Sequence, residues 1–240
     1  MTRLLAINPN TSPEVTATFV SEARRIVPTS VTVDGVTGTF GARIVTSEAE
    51  NIIAAHAALQ LAAEHAGGVD GVILAISFDT GLRALSELLP VPVVGVTEAA
   101  LLHAGDAPLG AICFGATSQP LYSRLLYGYG RTPVAWEVVE FASRADYLDA
   151  KARDTSVLDA IARLAEAGAE RALLLGTAVV GMAGRLFPQA AIPVSDGAAA
   201  VRLCLERIET FDEPPPRKKP VAETVGLPPS LAALIAGKSQ

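Results

Sequence analysis

The sequence contains few charged residues, few aromatic residues and almost no cysteine. Charged side chains make up 18% of its 240 residues and aromatic side chains 5%, whereas half of the chain is hydrophobic. This composition provides enough apolar surface for one large folded domain or two small ones. The net charge of -6 argues against a nucleic-acid partner.

Long apolar runs are absent as well. No stretch of about 18 residues is free of charges or turn residues, so the sequence predicts no membrane span. The first apolar run stops at residues 8–9, asparagine and proline, and is too short for the core of a signal peptide. Two cysteines, Cys113 and Cys204, do not suggest a disulfide framework, and both lie in apolar segments expected to be core. We therefore expect a cytoplasmic protein.

Short apolar runs typical of strands alternate along the chain with segments of helical periodicity. This alternation predicts an α/β fold with mostly parallel sheets covered on both faces. The run at residues 71–77 is continuously apolar, as expected of a strand buried on both faces. The predicted strands are residues 4–8, 31–36, 71–77, 91–94, 109–114, 134–141, 172–176 and 192–194. The predicted helices are residues 13–26, 47–65, 81–89, 97–103, 119–129, 155–167, 181–187 and 198–208.

The pattern occurs twice along the chain. VILAIS, which ends at Ser77, aligns without a gap with ALLLGT, which ends at Thr177; VPVVGVTEA and IPVSDGAAA follow them respectively. Each apolar run thus ends in a small hydroxyl residue. The repetition predicts two pseudo-symmetric α/β lobes, residues 1–104 and 105–208, with the active site in the cleft between them.

Residues 209–240 depart from the repeat and form a proline-rich tail. Its prolines exclude a regular helix near residues 214–220, and the basic run at residues 217–219 is expected to be a solvated segment. Residues 231–235 have the pattern of a short amphipathic helix. Such a helix would dock on the chain itself or on a neighbouring subunit; the alternative is a disordered tail.

Small hydroxyl and amide residues follow several predicted strands. Ligands of parallel α/β sheets bind beyond the carboxyl ends of the strands, where helix N-termini offer N–H groups. Two facing lobes would gather these residues around one small ligand, a carboxylate or a cyclic amide, although any single hydroxyl could be a helix cap only. The candidate substrate-binding residues are Asn10, Thr11, Ser12, Thr46, Ser47, Thr117, Ser118 and Ala178. No group of His, Cys or acidic residues has the spacing of metal ligands.

Six stretches carry a resemblance to known proteins: INPNTS at 7–12, FDTGL at 78–82, PVVGVTEAA at 92–100, TSQPLYSRLL at 117–126, LLLGTAVVGMA at 173–183 and IPVSDGAAA at 192–200. Together they resemble the aspartate/glutamate/hydantoin racemase superfamily, and in particular its hydantoin-racemase branch. The resemblance covers about residues 3–208. It implies two lobes with the active site between them, a homo-oligomer, and racemisation without a cofactor.

The resemblance also draws attention to a difference. In the superfamily's racemases one cysteine follows the third strand of each lobe, and the two thiols exchange protons with opposite faces of a carbon. The corresponding positions in this chain are Ser77, with Ile76 as the ungapped match, and Thr177. An unassisted alcohol is a far poorer base than a thiol, so a two-thiol racemisation is excluded.

Three hypotheses follow from these residues. The first is a cofactor-independent isomerase acting on a hydantoin-like ring or a small amino-acid derivative, with Ser77 and Thr177 at the catalytic positions. The second is a hydrolase or lyase on the same scaffold, in which Asp79 activates a water; Asp196 is a further candidate base, unless it caps the last helix. The third is a ligand-binding protein without catalysis, because a fold does not determine function.

Overall fold

The computed structural model describes residues 1–141, 150–212 and 223–237, and strands alternate with helices along them. The strands are β1 (Thr2–Asn8), β2 (Val31–Thr37), β3 (Gly71–Leu74), β4 (Val93–Gly95), β5 (Leu109–Phe114), β6 (Ala135–Val139), β7 (Arg171–Leu174) and β8 (Val194–Ser195). The helices are α1 (Pro13–Ile26), α2 (Glu48–His65), α3 (Leu82–Leu88), α4 (Val96–Ala104), α5 (Gln119–Gly128), α6 (Ala150–Glu166), α7 (Met182–Leu186), α8 (Ala199–Thr210) and α9 (Pro229–Ile235). Single 3₁₀ turns at Ala116–Ser118 and Thr177–Val179 precede α5 and α7.

The strands form two four-stranded parallel sheets with the same topology. The order is β2-β1-β3-β4 in the first sheet and β6-β5-β7-β8 in the second. The register also repeats, because Ile7 pairs with Leu74 as Ile112 pairs with Leu174. The predicted α/β class with two similar lobes is confirmed.

The last helix of each repeat packs on the sheet of the other repeat. Helix α4 contacts β7 and β8 of the second sheet, whereas α8 contacts β3 and β4 of the first. The side chains involved from α8 are Val201 and Cys204, which lie in one apolar core with Leu4 and Ile73. A hydrogen bond of 2.9 Å between the side chains of His103 on α4 and Ser195 on β8 joins the two repeats at the same place. This exchange of helices ties the lobes together.

Several predicted boundaries differ from the structure. Strand β3 ends at Leu74, three residues before the predicted end. Ala75 N makes the last bond to β1, at the carbonyl of Ile7, and the chain then turns, with Asp79 N bonded to the carbonyl of Ile76. Helix α2 begins as predicted at its N-cap Ser47, which forms a reciprocal capping box with Glu50. In the tail, α9 docks on α2 and buries Leu231 and Leu234 in the same apolar core as Leu61 of α2. The basic run at residues 217–219 lies outside the described residues.

No helix in the described part of the chain is long and apolar enough to cross a membrane.

Candidate active site

The carboxyl ends of the central strands of both sheets meet at one cleft. The two central strands are β1 and β3 in the first sheet and β5 and β7 in the second. After each pair of central strands the chain turns to opposite faces of the sheet, which leaves a crevice between the two loops. The loops that follow these strands carry Asn10, Ser77, Ser118 and Thr177. All four side chains are buried, with exposed fractions of 6% to 7%.

Ser77 and Thr177 meet across the cleft. Their hydroxyl oxygens, Oγ and Oγ1, lie 3.2 Å apart in a hydrogen bond that joins the two repeats. Gly176 precedes Thr177 with a φ of +141°, a backbone conformation that favours glycine and aims the 3₁₀ turn at the cleft. The two residues that sequence analysis paired through the duplication are therefore in direct contact.

Asn10 is held by a network of buried amides and hydroxyls. The amide nitrogen of Asn8 donates to Asn10 Oδ1 at 2.9 Å, and the backbone N–H of Ser12 donates to the same oxygen at 2.9 Å. Because the oxygen is used in this way, the side-chain NH₂ of Asn10 is the group that remains able to donate to a ligand. The loop geometry thus presents a fixed hydrogen-bond donor.

A cavity of about 290 Å³ lies between the lobes at these strand ends. Its polar side chains are those of Asn10, Ser77, Ser118, Tyr122 and Thr177, and its remaining lining is apolar or backbone. Among the lining residues that the structure describes, none carries a charged side chain. The lining residues that the structure describes are Asn10, Val15, Ile44, Val45, Ile76, Ser77, Phe78, Phe114, Ser118, Tyr122, Leu175, Gly176, Thr177, Ala178 and Val179.

Aromatic side chains form one wall of this cavity. Phe78 and Tyr122 stack at a centroid distance of 4.4 Å, and the Tyr122 hydroxyl lies beside the side chain of Ser77. Burial raises the pKa of Tyr122 well above its usual value, so this phenol stays neutral. Three lining residues were not among those predicted from the sequence: Phe78, Phe114 and Tyr122. Phe78 and Tyr122 nevertheless lie inside the motif stretches at 78–82 and 117–126.

Asp79 lies next to the cavity but its carboxylate faces elsewhere. It accepts hydrogen bonds from the backbone N–H groups of Thr97 at 3.0 Å and Glu98 at 2.7 Å, and from the Tyr129 hydroxyl at 2.7 Å. Burial raises the pKa of Asp79 to about 7 against the lowering effect of these donors. Its φ of +48° is unusual for a residue other than glycine. These contacts cap α4 and leave the carboxylate outside the cavity lining.

Asp196 has a comparable place in the second lobe. Its carboxylate accepts from the backbone N–H groups of Ala183 at 2.9 Å and Ala198 at 2.8 Å, at the starts of α7 and α8. Burial raises the pKa of Asp196 as well. In the first lobe the carboxylate is that of Asp79, in the loop after β3. In the second lobe it is that of Asp196, at the end of β8. Both link neighbouring loops within the fold.

Of the six other predicted binding residues, five do not line the cavity. Ser12 bonds to Glu14 at 2.8 Å, and Thr46 and Ser47 both donate to Glu50, at the start of α2. Thr11 and Thr117 do not line the cavity, and Thr117 is exposed. Ala178 lines the cavity through its position in the 3₁₀ turn.

Neither cysteine reaches the site. Cys113 and Cys204 are fully buried and free, which confirms their predicted place in the core. Burial raises the pKa of Cys113 to about 11 and of Cys204 to about 12, so both thiols stay protonated. In the described ranges, no group of three or more His, Cys, Asp and Glu side chains could hold a metal ion.

Comparisons with a family model, a related sequence and solved structures all find racemases. The model of the family described as Asp/Glu/Hydantoin racemase matches residues 4–204. A hydantoin racemase from Paenarthrobacter aurescens is 31% identical over 101 residues, a match that spans 41% of this chain and 43% of that protein.

Two solved structures extend the comparison over nearly the whole chain. An allantoin racemase from Klebsiella pneumoniae has a TM-score of 0.81 at 26% identity, covering 93% of this chain and 97% of its own. An allantoin racemase from Pseudomonas fluorescens has a TM-score of 0.83 at 25% identity, covering 93% and 99%.

Proposed function

The chain belongs to the Asp/Glu/hydantoin racemase family, and from this premise we propose that it is an isomerase that moves a proton at a carbon of a small neutral ring. A cyclic amide of the hydantoin or allantoin kind is the substrate class that fits best. The observation that carries the proposal is the cavity between the lobes, which combines hydrogen-bonding groups with apolar walls and has no charged residue in the described part of its lining. No cofactor is part of the proposal.

The neutral lining favours a ring over a free amino acid. Aspartate and glutamate carry three charges at neutral pH, and burying them without opposite charges would cost several kcal/mol. A cyclic amide has no such requirement. Its carbonyl groups can accept from the NH₂ of Asn10 and the hydroxyl of Ser118, while its ring packs against Phe78 and Tyr122. At about 290 Å³ the cavity suits a ligand of this size.

The proton-transfer groups in this proposal are Ser77 and Thr177. A reacting carbon must lie about 3 to 3.5 Å from each group, so two groups on opposite faces stand about 6 to 7 Å apart. The two hydroxyl oxygens are 3.2 Å apart, so the lobes must separate by about 3 Å before a carbon fits between them. Since alcohols are weak bases, the reaction depends on a carbon acid whose anion is stabilised by the donors of the cavity.

The alternative of a hydrolase or lyase receives no support from the position of Asp79. A base that activates water must reach the substrate, whereas both oxygens of this carboxylate bond to α4 and one also bonds to Tyr129. A second candidate function is favoured by one observation. Among the described lining residues Tyr122 is the sole acidic or basic side chain, and its burial keeps it neutral, which suits a protein that binds the ring without turnover.

Incubation in D₂O tests both candidates. Single enantiomers of 5-substituted hydantoins, allantoin, aspartate and glutamate would be followed by NMR and chiral chromatography, with protein-free samples correcting for spontaneous exchange. We expect deuterium to enter at the ring carbon with loss of optical purity, and no exchange in the two amino acids. Ser77→Ala and Thr177→Val should each lower the rate. Binding of a ring by calorimetry without any exchange would refute the isomerase and leave the binding protein.

The homo-oligomer and the cytoplasmic location remain predictions. Light scattering of the purified protein tests the first of these.

A further inference from the structure

The loop after β3 is held from the opposite lobe at three consecutive residues. Ser77 bonds to Thr177, Phe78 stacks on Tyr122, and Asp79 accepts the hydroxyl of Tyr129. Two of these contacts come from one helix. Tyr122 and Tyr129 are seven positions apart, two turns along α5 and its C-cap, and so lie on the same side. A motion that separates this loop from α5 would break the contact between Tyr129 and Asp79.

Asp79 connects this contact to the position of Ser77. Its oxygens bind the N–H groups of Thr97 and Glu98 at the start of α4, and the Thr97 hydroxyl donates to the backbone carbonyl of Ser77 at 2.6 Å. The backbone on both sides of Phe78 is thus held to α4, which itself packs on the second sheet. Gly95 allows this arrangement, because a Cβ there would lie 2.5 Å from Asp79 Oδ1.

We propose that Tyr129 is a positioning residue for the cleft: its hydroxyl, bonded to Asp79 of the opposite lobe, holds the loop of Ser77 against Thr177 and keeps the lobes closed. Tyr129 does not line the cavity and has no contact with a substrate in this proposal. The inference concerns the opening of the cleft, so it holds for an isomerase and for a binding protein alike.

The bond between Tyr129 and Asp79 is sensitive to pH. Burial raises the pKa of Asp79 to about 7, and the Tyr129 hydroxyl acts in the opposite direction. A hydroxyl binds an ionised carboxylate more strongly than a neutral acid. Loss of the hydroxyl should therefore have its largest effect above pH 7, where Asp79 is ionised, and a smaller effect below it. The other titratable or charged groups facing this pair are Glu98 of α4, Tyr122 of α5, Arg83 of α3 and Arg207 of α8, which is paired with Glu98.

Labelling of a thiol in the cleft measures its opening. Ser77→Cys places a thiol in the cleft. The native Cys113 and Cys204 are fully buried, so they should react slowly with the reagent and contribute little to the measured rate. The reagent is 4,4′-dithiodipyridine, a neutral disulfide. Labelling rates of the Ser77→Cys protein would be compared with and without Tyr129→Phe at each pH. The thiol's own ionisation then cancels in the ratio. Tyr127→Phe is the matched control, because Tyr127 is 77% exposed on the same helix.

We expect Tyr129→Phe to raise the labelling rate about tenfold at pH 8, the effect of one hydrogen bond to a charged group, and clearly less at pH 5.5. Tyr127→Phe should leave the rate unchanged. Equal rates with and without Tyr129→Phe at pH 8 would overturn the proposal. A ratio that is the same at every pH would also overturn it, because the residue would then act through packing and not through Asp79.

A carboxyl ¹³C titration provides a second readout that needs no reporter thiol. The resonance of Asp79, identified by its absence in Asp79→Asn, should titrate at higher pH in Tyr129→Phe than in the unchanged protein. An unchanged midpoint would contradict the bond on which the proposal rests.

Discussion

Burial of Asp79 predicts a specific pH dependence of stability. Its pKa is raised from 3.8 to about 7 in the folded protein. The folded state therefore binds this proton more tightly than the unfolded state. Stability from this group is fully present below the unfolded value and is lost as pH rises through the folded value of about 7. Asp79→Asn removes the titration, because an amide does not ionise in this range.

The size of the effect follows from the shift. One pKa unit corresponds to about 1.4 kcal/mol, so between about pH 4.5 and pH 8 the Asp79 protein should lose about 3 kcal/mol relative to Asp79→Asn. At a single pH, the change in unfolding free energy caused by Asp79→Asn combines the loss of hydrogen bonds with the removal of the charge. The change of the difference with pH isolates the ionisation, because the other titrating groups are common to both proteins.

Urea unfolding measures this difference. Trp136, the one tryptophan of the chain, lies on β6 and is partly buried, which makes its fluorescence a suitable probe. Both proteins would be unfolded at a series of pH values between 4.5 and 8. A difference in unfolding free energy that stays constant within about 1 kcal/mol across this range would refute the raised pKa and with it the described environment of Asp79.

Three further predictions concern packing and the cleft. Gly95→Ala should lower the free energy of unfolding by about 1 to 3 kcal/mol, because its methyl group would displace the buried carboxylate of Asp79. The control Gly128→Ala should be neutral or stabilising, because no atom lies within 4 Å of the added methyl group. Equal urea midpoints for the two variants would contradict the close approach of Gly95 to Asp79. Asn10→Ala should weaken ring binding by about tenfold in calorimetry, since it removes one hydrogen-bond donor; unchanged affinity would exclude its role. The double variant Ser77→Cys with Thr177→Cys, kept reduced, should accelerate deuterium exchange, because thiols are better proton acceptors than alcohols; unchanged exchange would mean that these positions do not face the reacting carbon.

The fold was largely predictable because its determinants are local. Continuous apolar runs such as residues 71–74 are typical of strands buried on both faces, and they alternate with segments of helical periodicity. The duplicated stretches ending at Ser77 and Thr177 predicted two equivalent lobes. Strand ends were less accurate, because the apolar run continues through Ala75 and Ile76 after β3 has ended at Leu74.

The candidate site was predictable only in part. The duplication identified Ser77 and Thr177 as equivalent, and strand-end reasoning selected Asn10 and Ser118. The aromatic wall was not selected, since Tyr122 has the same apolar spacing as an ordinary core residue of a helix. Sequence alone also could not tell which way Asp79 faces.

What the sequence by itself determined is the order of strands and helices, the repeat, and the small hydroxyl residue at the end of each repeated run. All of these depend on residue type and on short spacing along the chain. Only the tertiary structure decided that α4 and α8 exchange sheets, that the two hydroxyls touch, and that Asp79 bonds to Tyr129. These features join residues far apart in sequence, and rotation about a few backbone bonds determines whether a side chain points into the cleft or away from it.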